Sequence, residues 1–198
     1  YNATTYEIPA GVVQIGRQAF YSCEKIVGIT IPNTLTEIGF EAFSGCKSLR
    51  NINIPVSVKD IDKNSFYDTA LYNEATECLY IDNCLISAKH NIPENYDVID
   101  STRLIANYAF GGRVNLVSVD IPGSVEKIGY GAFSDCENLF SVNMSEGIKI
   151  IDNYAKAVDE EGKVATVGEE GERRGHVGTL VEIAAYLHVD DGDSTIEQ

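Results

Sequence analysis

Positive charge is what this sequence has least of: 15 Lys and Arg stand against 30 Asp and Glu in 198 residues, a formal net charge of -15. So acidic a chain has no basic stripe to release counterions from a phosphate backbone, which excludes nucleic acid as its expected partner. Docking on an anionic membrane is disfavoured for the same reason. Long apolar runs are missing as well. None reaches the ~20 residues a bilayer-spanning helix needs, so no membrane insertion is expected. No signal peptide stands at the start, but the chain opens at Tyr1 rather than Met, so this decides nothing about export. Histidine is scarce, and His90, His176 and His188 all lie outside the regular pattern described below. An enzyme needs a convergent acid, base or nucleophile, and the inventory is thin. Cys84 and His90 supply a thiol and a base within one segment, yet nothing resembles the third group that would activate them. Asp190-Asp191-Gly192-Asp193 lacks the alternating oxygen ligands and closing Glu of a calcium loop. The chain is therefore read as non-enzymatic, with no cofactor and no metal.

What the sequence does contain is itself, repeated. Ile8-Pro9…Val12…Ile15-Gly16…Ala19-Phe20…Cys23…Ile26…Ile29 returns 23 residues later as Ile31-Pro32…Leu35…Ile38-Gly39…Ala42-Phe43…Cys46…Leu49…Ile52. It comes back again as Ile121-Pro122…Val125…Ile128-Gly129…Ala132-Phe133…Cys136…Leu139…Val142. Copies starting at Ile54 and Val98 keep the apolar skeleton, with Thr69 and Arg113 at the cysteine phase, and a sixth starting at Met144 fails partway. A fixed period of this size means stacked coils, in which each repeat buries its core against its neighbours. Hydrophobic residues make up 44% of the chain, enough for a core without help from disulfides.

The repeat phases carry physical expectations. Alternation such as Asn51-Ile52-Asn53-Ile54 reads as a short strand with one buried face. Five of the seven Phe (Phe20, Phe43, Phe66, Phe110, Phe133) share one phase, which predicts an aromatic ladder along the core. The residue before each is small, as close backbone stacking requires. Cys23, Cys46 and Cys136 also share a phase, but side chains stacked by translation stay about 4.8 Å apart, whereas a disulfide needs Cβ atoms at about 3.8 Å. They are expected to be free, small packing groups.

Two stretches leave the pattern. Residues 77–97 form an insertion in which Leu79-Tyr80-Ile81-Asp82-Asn83-Cys84-Leu85-Ile86 reads as a hairpin projecting from the solenoid. From residue 156 to 198, 4 basic residues face 11 acidic ones. Thr179-Leu180-Val181-Glu182 has the form of a capping box, so a cap helix over 180–189 is one expectation; a disordered acidic tail is another.

The motif Ile-Pro-x-x-Val-x-x-Ile-Gly-x-x-Ala-Phe-x-x-Cys-x-x-Leu-x-x-Ile closely resembles the BspA-type, or Treponema pallidum-type, leucine-rich repeat over roughly residues 8–155. That resemblance implies an α/β solenoid, a right-handed superhelix of 23-residue coils with a parallel sheet on one face. It further implies a secreted or cell-surface protein of a host-associated bacterium that adheres to or binds protein. The domain reading is a solenoid over 1–155 and an acidic segment over 156–198. Strand alternation assigns Gly28, Thr30, Asn51, Asn53, Ser118, Asp120, Ser141 and Asn143 to the outer sheet face, with Arg50, Arg113, Phe140 and the tyrosines Tyr72 and Tyr80, expected to be exposed, as larger anchors. Such a face suits a protein or glycan ligand. Alternatively, it is only the soluble surface of a structural spacer.

Overall fold

The computed structural model describes residues 4–155 and 166–168. The chain is a parallel-sheet solenoid of about six turns, and its coils are held by two ladders of strands rather than one. The longer strands are β1 (Thr4–Glu7), β3 (Ile26–Thr30), β5 (Asn51–Ile52), β9 (Asn95–Asp97), β11 (Ser118–Ile121), β13 (Ser141–Met144) and β15 (Thr166–Gly168). The shorter ones are β2 (Gln14–Ile15), β4 (Glu37–Ile38), β6 (Asp60–Ile61), β10 (Leu104–Ile105), β12 (Lys127–Ile128) and β14 (Ile150–Ile151). Every pairing between coils is parallel, and most join residues one 23-residue period apart, for example Asp120 with Asn143 and Ile15 with Ile38. Among the described residues the only helix is α1 (Ala70–Glu74), so "α/β" is a loose label for what is a β-solenoid.

The repeat phases do what their chemistry requires. Phe20, Phe43 and Phe66 stack with centroids 5.4 and 5.1 Å apart, and the N–H groups of Phe20 and Phe43 donate to the carbonyls of Ala42 and Ser65, each one coil on. A small residue at that phase lets the two backbones meet. All five cysteines are free, and the thiols of Cys46 and Cys136 donate to the carbonyls of Phe20 and Phe110 at 3.0 Å. Each coil also turns through two left-handed residues. Gln18, Glu41, Asn64, Tyr108 and Tyr154 hold one of these phases with φ between 52° and 59°, and Ser22, Gly45, Asp68, Gly112 and Asp135 hold the other.

The insertion corrects the expectation of a projecting hairpin. The hairpin forms, with β7 (Cys78–Ile81) antiparallel to β8 (Cys84–Ala88) around Asp82-Asn83, but β8 pairs in parallel with β10 and β9 pairs with β11. Residues 77–97 therefore supply a strand to each ladder and take the place of a coil. Leu79, Ile81, Cys84, Leu85, Ile86 and Ala88 are buried, because projecting them into water would forgo their transfer free energy. The aromatic ladder is broken as a result. Phe110 stacks on Phe133 at 5.1 Å, but its other neighbour is the edge of Tyr96 rather than Phe66.

Helix α1 explains why the long sheet divides at this point. Thr69 stands where other coils carry Cys, and its hydroxyl accepts the Tyr72 N–H at 3.0 Å while donating to the Phe66 carbonyl, which makes it an N-cap. Ala70 and Leu71 then favour a turn of helix where a strand would otherwise follow β5. The stack consequently splits into β1-β3-β5 and β9-β11-β13-β15. At the C-terminal side, β15 continues the second sheet by pairing with β13. The expected cap helix over 180–189 lies outside the described residues.

Candidate binding surface and cavities

The outer sheet face falls into two parts, divided where α1 stands between β5 and β9. Thr30, Asn51 and Asn53 are exposed on the first sheet, and Arg50 beside them is engaged in an exposed ion pair with Glu74 at 2.6 Å. Gly28, placed on the outer face by alternation, is instead buried, with Asn51 and Thr5 closing over it. Ser118, Asp120, Ser141 and Asn143 are brought together on the second sheet, where Ser118 faces Ser141 and Asp120 faces Asn143. Their side chains bond along the stack: Ser118 Oγ donates to Asn95 Oδ1 at 2.7 Å, and Asn143 Nδ2 donates to Asp120 Oδ1 at 2.6 Å.

Sequence reasoning missed three members of this surface, Asn95, Asp97 and Asp100. Asn95-Tyr96-Asp97 lies 23 residues before Ser118-Val119-Asp120 and alternates in the same way, a signal masked by counting it within the insertion. Asp97, Asp100, Asp120, Pro122, Asn143 and Ser145 border a groove of about 410 Å³ at the end of this sheet. Among the described residues, no Lys or Arg forms an ion pair with any of its three carboxylates.

The tyrosines expected as exposed anchors are not exposed. Tyr80 is half-buried, its hydroxyl 3.2 Å from that of Tyr96, and burial raises its pKa above the ordinary phenol value. Tyr72 is also half-buried, with Lys89 Nζ 3.8 Å from its ring centre and Tyr67 tilted against it at 5.2 Å. The reason is again the insertion, which covers the surface these side chains would otherwise face. Phe140, by contrast, is 76% exposed.

Tyr72 borders a second cavity, of about 210 Å³, where the aromatic ladder is interrupted. Phe66, Tyr67, Ser87, His90 and Arg113 complete its character, and no carboxylate lines it. Cys84 and His90 do not meet there. Cys84 is fully buried in β8, where desolvation pushes its thiol up to about 11 against the opposing pull of Arg103, and His90 is exposed at the cavity. A thiol held neutral in this way is inert as a nucleophile.

Coils in phase register, an apolar stripe of Ile and Leu, and side-chain ladders running from coil to coil define a leucine-rich-repeat solenoid. The chain belongs to the BspA-type leucine-rich-repeat family: the profile of the BspA type leucine rich repeat region matches residues 1–83 and 82–158 with six copies. Among solved structures it is similar to a Treponema pallidum leucine-rich-repeat protein, at 22% identity over 78% of this chain and 73% of that one, with a TM-score of 0.43. A Bacteroides ovatus leucine-rich-repeat protein matches at 25% identity over 75% and 45% of the two chains, TM-score 0.38. A leucine rich cell surface protein of Faecalibacterium prausnitzii matches at 20% identity over 95% and 63%, TM-score 0.45. The chain thus spans less than two thirds of the length of the last two. No curated protein matches it. Among the described residues, no helix is long and apolar enough to cross a membrane.

Proposed function

We propose that the chain is a non-enzymatic binding module of a secreted or surface-displayed bacterial protein, and that it holds a protein partner on the polar face of β9, β11 and β13. The observation that carries this reading is the groove beside that face, where Asp97, Asp100 and Asp120 converge without an ion-pair partner among the described residues. Unpaired carboxylates along a row of hydrogen-bonding side chains favour a cationic, amide-rich segment laid across the strands, and set its register more than its affinity. The surface location rests on family membership and on the description of the Faecalibacterium relative. One observation favours the spacer reading: Ser118 with Asn95, and Asn143 with Asp120, already use each other as hydrogen-bond partners.

The two readings separate in a binding screen of the full chain against basic peptides and extracellular matrix proteins at low and high salt. A binding module retains a ligand, releases it as salt rises, and weakens at least tenfold, about 1.4 kcal/mol, in the Asp97→Asn/Asp120→Asn double variant. Retention of nothing, or of ligands indifferent to that double change, leaves the spacer reading.

A further inference from the structure

The cavity at the break in the aromatic ladder is lined by a cation, Arg113, that has no carboxylate partner among the described residues. Arg113 takes the repeat phase at which Cys46 and Cys136 close their coils, and it carries a guanidinium to a place the family motif fills with a thiol. Its Nε and Nη2 both donate to one acceptor, the Gly111 carbonyl, at 3.1 and 2.9 Å. Its Nη1 is shielded from solvent and has no hydrogen-bond partner. Among the described residues no carboxylate lies within 4.0 Å of Arg113, nor of Lys89, whose ammonium rests on the Tyr72 ring and whose pKa burial lowers. A shielded guanidinium N–H without a partner is costly, and a single carbonyl cannot neutralise the charge.

We propose that this cavity is a carboxylate site, in which Arg113 grips the carboxylate of an acidic side chain or of a small free acid. A carboxylate would take the Nε–Nη2 edge, giving each nitrogen its own oxygen in place of the one Gly111 carbonyl that both now share, while Nη1 stays closed to the ligand. The walls contributed by Phe66, Tyr67 and Tyr72 lower the local dielectric and strengthen that pairing, and His90 and Ser87 supply further polar groups at the rim. A volume of about 210 Å³ is smaller than a typical drug-sized pocket and suits one side chain or a small acid. The molecule's overall negative charge does not forbid an anion here, because charges beyond about 8–10 Å are screened at physiological salt while Arg113 and Lys89 are not. The site shares no lining residue with the groove at Asp97 and Asp120.

The test titrates the full chain with N-acetyl-L-glutamate and, as a neutral isostere, N-acetyl-L-glutamine, following the Gly111 and Gly112 amides and the arginine Nε–H by NMR. Saturable shifts confined to Gly111, Gly112, Arg113 and His90 are expected with the acid and none with the amide. Arg113→Cys returns the motif residue to this phase, so it should fold and lose the response; Arg113→Lys keeps the charge but not the fork, and should weaken binding at least tenfold. A peptide bearing one Glu between neutral residues, compared with its Gln counterpart, separates the sources: tighter binding than the free acid identifies a protein side chain, and binding of the free acid alone identifies a small molecule. Equal responses to acid and amide overturn the proposal. So do shifts reproduced by chloride, or an undiminished response in Arg113→Cys or, should that variant not fold, in Arg113→Lys.

Discussion

Neighbouring coils approach so closely that the same residue in the same motif has a different cost depending on what lies beside it. A Cβ added at Gly39 would sit 2.9 Å from Arg17 N and Ile15 O, both backbone atoms of the preceding coil, whereas one added at Gly16 meets nothing within 4 Å. Gly39→Ala should therefore destabilise by about 1–3 kcal/mol, as overpacking does, and Gly16→Ala by less than about 0.5 kcal/mol, compared by denaturant midpoints. The close contact returns at Gly129, beside the backbone N of Asn107, but the same phase is held by Asp62, Ala106 and Asp152 in other coils. The left-handed phases carry no fixed residue either, since Gln18, Glu41, Asn64 and Tyr108 all occupy one of them. Stacking holds those backbones in place, and no property of an isolated Gln or Tyr announces it. The Phe and Cys phases were legible for the opposite reason: each residue's size and polarity suit only a buried, repeated contact.

At the scale of elements, the insertion is sewn into the stack by Arg103. Its Nη1 and Nη2 donate to the carbonyls of Val58 and Pro55 at 2.8 and 2.9 Å, and its backbone N–H donates to Asn83 at 2.8 Å, so it joins the coils on both sides of the hairpin. Asp82 works from the turn, accepting the Ile54 N–H at 2.6 Å. Arg103→Met keeps the apolar stem but abandons two carbonyls, and should lower stability by about 1.5–3 kcal/mol in equilibrium unfolding. The hairpin itself was readable from its alternation and its Asp-Asn turn. Its docking was not, because that depends on partners many residues away. The same holds for the candidate site: the polar row at Ser118, Asp120, Ser141 and Asn143 followed from strand alternation, whereas the groove at Asp97 and Asp100 and the cavity at Arg113 exist only once the insertion is in place.

For the molecule as a whole, a net charge of -15 works against compactness. Screening should offset part of that repulsion. The thermal midpoint of the full chain is expected to rise as salt shortens the Debye length from about 30 Å to about 8 Å, and a midpoint that stays level or falls would mean that local pairs outweigh the overall field. Among those pairs Lys127 stands apart, since it reaches Asp60 at 2.8 Å and Asp152 at 2.9 Å. Burial works to lower its pKa, but the hydrogen bonds it donates to Asp60 and Asp152, together with their negative charges, outweigh it and leave the pKa raised.

The parallel ladders also set a mechanical direction. Their hydrogen bonds run along the solenoid axis, so a pull on the two ends opens them like a zipper, one rung at a time, instead of shearing many together. Each 23-residue coil released lengthens the chain by roughly 80 Å when fully extended. Arg103 and Lys127 each fasten coils that are not consecutive, so the coils around the insertion would yield together, as one longer step in an otherwise even staircase.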